Sequence, residues 1–179
     1  MANTIDLKRN LTGIDREPPD LYMSNGATSL LLDLLALSGS DSAIADREKE
    51  FIIWLNQRDQ SVVGIGTVSF SIDEMPWTVE DFHEHKAFLL SVIDRAANKH
   101  RWSELEYVPA EESALRMLKH FRLLIDAFQL EDVDPGEYAE WSSADEGDSR
   151  PTIPVDFPKC AVHRIYLSCH GCLLCNQQL

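Results

Sequence analysis

The stretch Trp77-Thr-Val-Glu-Asp-Phe-His-Glu-His-Lys-Ala-Phe-Leu-Leu-Ser-Val-Ile-Asp-Arg-Ala-Ala-Asn98 decides the fold class, because it carries both a helix start signal and a helical apolar period. Thr78 is placed to cap a helix, Asp81 follows three residues on, and Trp77 can staple against Phe82. The spacing predicts a helix to about Asn98 that buries Val79, Phe82, Leu89, Ile93 and Ala96. His83 and His85 lie two apart on that helix, so they diverge and cannot share a metal; with Asp81 and Glu84, His83 reads as a solvated face.

Downstream, Pro109 opens a second helix, with Glu111 and Glu112 well placed in its first turn. Met117, Phe121, Leu124 and Phe128 form a stripe at helical spacing, which reads as core and not as a ligand pocket. Upstream, Val68, Phe70 and Ile72 alternate with Thr67, Ser69 and Ser71, which predicts a half-buried strand within 61–72. Residues 42–57 place Ile44, Phe51, Ile52 and Leu55 on one helical face, capped by Ser40 or Ser42, with a strand over Glu50 to Leu55 as the alternative. Residues 27–37 are apolar nearly all round and predict a short buried helix ending at Ser38-Gly39. Residues 1–25, with Gly13, Pro18, Pro19 and Asn25-Gly26, read as an irregular arm. The expected class is therefore mainly α (α+β), a helical body with a short β element.

The chain has 179 residues, 44% hydrophobic and 26% charged, which suits a packed domain with a small appendage. Its net charge of −14 opposes binding to nucleic acid or anionic membranes and favours a basic or neutral partner, although an acidic surface can also serve only solubility. Met1 to Leu11 lacks the basic start and apolar run of a signal peptide, and the apolar stretch Leu30 to Leu37 contains Asp33 and is too short to span a bilayer. A cytoplasmic location with reduced cysteines is expected, which favours metal binding or redox chemistry over disulfides.

After Gln129 the character shifts. The acids Glu131, Asp132, Asp134, Glu137, Glu140, Asp145, Glu146 and Asp148 precede Arg150, and Pro135, Pro151, Pro154 and Pro158 punctuate the segment. The expected organisation is a helical domain over 1–130, an acidic connector over 131–158 with Tyr138 and Trp141 packing down, and a metal-binding module over 159–179.

All four cysteines fall in that module. Cys160/His163 and Cys172/Cys175 are each separated by two residues, so both side chains of a pair can turn toward one ion, and two pairs supply the four ligands of tetrahedral zinc. A short hairpin with Ile165, Tyr166 and Leu167 as its strand is expected between the pairs, a zinc-knuckle-like arrangement; Asn176 suits the left-handed conformation a knuckle needs, and Arg164 suits it less. Cys169 and His170 are alternate ligands. Cys169, Cys172 and Cys175 also repeat every third residue, as iron–sulfur ligands do, with Cys160 available as the fourth. A Cys-x-x-Cys redox pair lacks its usual strand-to-helix context. No acid lies within the module, so the metal is expected to be structural.

His100 and His120 stand alone, Val63-Gly-Ile-Gly66 lacks the rest of a phosphate-binding loop, and no serine elbow, Walker lysine or His-Glu-x-x-His occurs. The functional expectation is a non-enzymatic, zinc-stabilised protein-binding module, of inhibitor or antitoxin/immunity type, using the eight acids above against a basic partner. The alternative is a metalloenzyme or iron–sulfur protein in which His83, His85 or a carboxylate approaches the cysteines.

Overall fold

The structure, a computed structural model, describes residues 2–8, 17–143 and 151–177. Strands β1 (Ala2–Asp6), β2 (Leu21–Ser24) and β3 (Phe70–Ser71) form one sheet in the order β2-β1-β3. β1 runs antiparallel to β2, with Ile5 opposite Leu21, and parallel to β3, with Ile5 opposite Phe70. The irregular arm expected over 1–25 is therefore corrected: it contributes two strands. The inward positions are Asn3, Ile5, Leu21 and Met23. A polar residue at one of them hid the alternation, and the amide of Asn3 is satisfied by Asn25 Oδ1, Thr28 Oγ1 and Thr67 Oγ1 at 2.6–3.1 Å.

The expected strand within 61–72 shrinks to two residues. Ser61–Val63 is a 3-10 turn, and the chain reverses at Gly64, whose φ of +81° is open to glycine. Phe70 and Ile72 keep the expected inward alternation.

Six α-helices occur among the described residues. α1 (Asn25–Ser42) is capped by Ser24, whose Oγ accepts from the Ala27 N–H at 3.2 Å, and it runs straight through the expected stop at Ser38-Gly39. Gly39 is a close-approach residue. A Cβ there would lie 2.2 Å from Ile52 Cδ1 on α2 (Asp46–Asn56). Ser40 and Ser42 are accordingly inside α1 and cap nothing. The start of α2 is tied instead by the Glu48 carboxylate, which accepts from the N–H groups of Ile44 and Ala45 at 2.7 and 3.0 Å. Ile44 precedes the helix and is 86% exposed, not buried.

α3 (Phe82–Ala97) begins at Asp81, three residues later than Thr78 implied, so Val79 stays exposed in the approach. The Trp77–Phe82 staple forms, with ring centroids 5.4 Å apart. α4 (Glu111–Ala127) carries the stripe of Met117, Phe121 and Leu124, and with Phe128 just beyond its end all four are buried. Trp77 joins this stripe to α2, its ring 5.1 Å from Phe128 and 5.0 Å from Phe51. Among the described residues, no helix is long and apolar enough to cross a membrane.

Within the acidic segment, α5 (Pro135–Ser143) packs down through its aromatics. Trp141 Nε1 donates to Gln57 Oε1 at 2.9 Å, and Arg47 lies 3.8 Å over the Tyr138 ring. The C-terminal segment ends in α6 (Leu173–Asn176), and Ile165, Tyr166, Leu173 and Leu174 are continuous with the core of the helical body.

Candidate metal centre

Two tight turns bring the ligand pairs together. In the first, the Arg164 N–H bonds to Cys160 O at 2.8 Å and the Cys160 N–H to Ile165 O at 2.9 Å. Arg164, the residue less suited to it, takes the left-handed conformation, φ +54°. The second pair sits on α6: Cys172 precedes its first residue and Cys175 lies one turn on. Asn176 is helical and uses its side chain instead, donating to His170 O at 2.9 Å. The hairpin expected over Ile165–Leu167 is reduced to isolated bridges, Lys159 with Tyr166 and Ser168 with Gly171.

Cys160, His163, Cys172 and Cys175 can hold a metal ion. Their ligand atoms all lie within 4.8 Å of one another. His163 Nδ1 is 3.8, 3.5 and 3.3 Å from the Sγ atoms of Cys160, Cys172 and Cys175, and the Sγ atoms of Cys160 and Cys175 are 3.7 Å apart. Cys160, His163 and Cys172 are buried, and Cys175 is half-buried.

The thiols are electrostatically unequal. Burial acts to raise the Cys160 pKa, but hydrogen bonds from the backbone of His163 and Val162 and from Cys172 and His163 outweigh it and bring it down to about 6. Burial pushes Cys172 up to about 12 and raises Cys175. A bound cation would supply the field that ionises the thiols.

Among the described residues, no other histidine or carboxylate joins this group. Cys169 and His170 lie outside it and line an open, mostly apolar depression of about 550 Å³ with Pro151, Pro154, Pro158 and Leu167. His85 is buried against the Phe51 ring, while His83 is exposed. His100 pairs with Asp41 at 2.8 Å, and His120 bonds to Pro19 O at 2.6 Å. The five described acids of the segment differ in exposure. Glu131, Asp134 and Glu140 are exposed, Glu137 is half-buried, and Asp132 accepts from the Gln129 N–H at 3.0 Å. Asp145, Glu146 and Asp148 lie outside the described residues.

Residues that the sequence did not flag hold the site to the body. Lys159 Nζ donates to Ser40 O at 2.8 Å, the Tyr166 N–H to Ser40 Oγ at 3.1 Å, and Asn56 Nδ2 to Tyr166 O at 2.9 Å. Arg101, 62 residues before His163 in the chain, donates to the His163 carbonyl. No local spacing signals contacts across such separations. No family model, curated relative or solved structure matches the chain.

Proposed function

We propose that Cys160, His163, Cys172 and Cys175 hold one structural zinc ion, and that the protein is a non-enzymatic binding protein of inhibitor or immunity type acting on a partner with a basic surface. The spacing of the ligand atoms carries the zinc reading. Tetrahedral zinc with bonds of about 2.3 Å to sulfur and 2.0–2.1 Å to nitrogen sets sulfurs about 3.8 Å apart and each sulfur about 3.5 Å from the nitrogen. In the cluster the Sγ atoms of Cys160 and Cys175 are 3.7 Å apart, Sγ–Nδ1 distances are 3.3–3.8 Å, and all four ligand atoms lie within 4.8 Å of one another. Four protein ligands leave no open position for water, so the ion serves folding and not hydrolysis.

An iron–sulfur cluster is the weaker reading. It would distribute its thiolates over separate irons, farther apart than ligands of a single ion, and would use Cys169, which lies outside the group. The basic partner is supported by the net charge of −14 and by the exposed carboxylates of Glu131, Asp134 and Glu140.

The deciding experiment is metal content by mass spectrometry, with a visible spectrum, on protein purified without a metal-affinity tag. About one zinc per chain and no colour is expected from a four-ligand site. A brown protein with iron and sulfide overturns the zinc reading and makes electron transfer the leading function.

A further inference from the structure

The residue best placed to govern the metal centre from outside it is Arg101. Its side chain is only 7% exposed and donates to five acceptor atoms on four residues. Nε and Nη2 form a fork on Glu104, at 3.0 and 2.6 Å. Nη1 reaches Asp41 Oδ1 at 3.2 Å and Leu37 O at 3.5 Å, both on α1. Nη2 also donates to the backbone carbonyl of His163, the one nitrogen ligand of the group. The backbone of Arg101 itself is left-handed, φ +58°, a conformation costly for a long side chain and kept where the surroundings over-determine it. Glu104 in turn bonds Arg164, at 3.2 Å, so both residues at the turn carrying the first ligand pair are tied to the same guanidinium-carboxylate unit.

Resting on the zinc reading, we infer that Arg101 is a positioning residue of the metal centre. By clamping the His163 carbonyl to α1 and Glu104, it fixes the turn that aims Nδ1 at the three sulfurs. Outer residues that orient a ligand commonly tune metal affinity as well as stability. The planar fork engages Glu104 through two nitrogens while reaching Asp41 and the His163 carbonyl, and a lysine ammonium in its place would keep the charge without the geometry.

The test is zinc affinity of the full chain, measured by competition with a chromophoric chelator, together with the visible spectrum of the cobalt-loaded protein. Variants Arg101→Met and Arg101→Lys are compared with Arg122→Met, which removes an exposed pair between α4 and Asp94 of α3. Both Arg101 variants are expected to bind zinc roughly 10- to 100-fold more weakly and to alter the cobalt bands, while Arg122→Met leaves both unchanged. Should Arg101→Met fail to fold, Arg101→Lys carries the test, since it retains the charge facing Asp41 and Glu104. Wild-type affinity in a folded Arg101 variant overturns this inference alone. A wild-type chain that binds neither zinc nor cobalt overturns the zinc reading and this inference with it.

Discussion

Asp33 offers a quantitative test of how the C-terminal segment is seated. It lies in mid-α1 with no solvent exposure, and its carboxylate accepts from Gln177 Nε2 at 2.8 and 3.0 Å and from the Tyr107 hydroxyl at 3.1 Å. Among the described residues no cation pairs with it. Burial outweighs the two hydrogen-bonding partners and lifts its pKa from 3.8 to about 7. A rise of about 3 units is worth roughly 4 kcal/mol between protonation states. The folded state binds this proton more tightly than the unfolded chain does. Its stabilisation is therefore complete below pH 3.8, is lost as pH rises, and is gone above about 7. Linkage places roughly 2–3 kcal/mol of that loss between pH 5 and pH 8. Asp33→Asn keeps the shape and cannot ionise, so it should gain on the wild type by that amount across the interval. At about 2–4 °C per kcal/mol for a chain of this size, the Tm difference widens by roughly 5–10 °C. The assay is paired thermal and urea unfolding of the two proteins at pH 5, 6, 7 and 8. Other titrating groups, the cysteines included, cancel in the difference. A wild-type-minus-variant difference that stays flat from pH 5 to pH 8 refutes the reasoning.

Three further expectations concern the site and the core. Cys172→Ser should abolish stoichiometric zinc binding, whereas Cys169→Ser should leave it intact, since Cys169 lies outside the ligand group; equal metal content in both would break the assignment. Gly39→Ala should gain about 0.5–1 kcal/mol of helix propensity but lose about 1–3 kcal/mol to overpacking, because its Cβ would meet Ile52 Cδ1 at 2.2 Å. The net loss of about 1 kcal/mol should shrink when Ile52→Val is added, and unfolding of all four proteins in the cycle measures that coupling. Reversing Glu131 and Glu140 to lysine, which spares the Asp134 carboxylate that accepts from the Gly136 N–H at the start of α5, should weaken salt-dependent binding to polylysine while moving stability by less than about 0.5 kcal/mol, and unchanged binding would remove these two groups as a contact surface.

The helical elements were legible where a single local rule governs them. The stripe from Met117 to Phe128 needs only a 3.6-residue period, and the Trp77–Phe82 staple only two neighbours in sequence. Tertiary demands overrode local rules elsewhere. Gly39 has the look of a helix stop, yet it is a packing residue whose reason, Ile52, lies on the next helix. Ser40 has the look of a cap, yet its oxygens serve the C-terminal segment over a hundred residues away. Strand β1 escaped because one inward position is an asparagine whose partners are recruited from α1 and Thr67. Four cysteines and two histidines at short spacings narrowed the ligand choice to six residues, and the fold selected four of them, leaving Cys169 and His170 outside the cluster.

These misreadings share a cause with the proposed role of the metal. α1 is apolar on nearly every side, but it buries Asp33, Ser38 and Ser40, and α2 buries Asn56. Buried polar groups cost about 1–3 kcal/mol each when left unpaired. Asp33, Ser40 and Asn56 find their partners in Gln177, Lys159 and Tyr166, all within the segment that carries the cysteines. That segment has few apolar anchors of its own, chiefly Ile165, Tyr166, Leu173 and Leu174. Its closure by four ligands is what would keep the polar seam paired, because a cross-link reduces the conformational freedom lost on docking. Metal removal should therefore be felt in the helical body as well as in the turns. Amide exchange should accelerate along α1 near Ser40 and at Asn56 when the ion is chelated, in addition to residues 160–176. Faster exchange confined to the cysteine turns would mean that the seam stays paired without the ion, and that the metal stabilises only its own ligand loops.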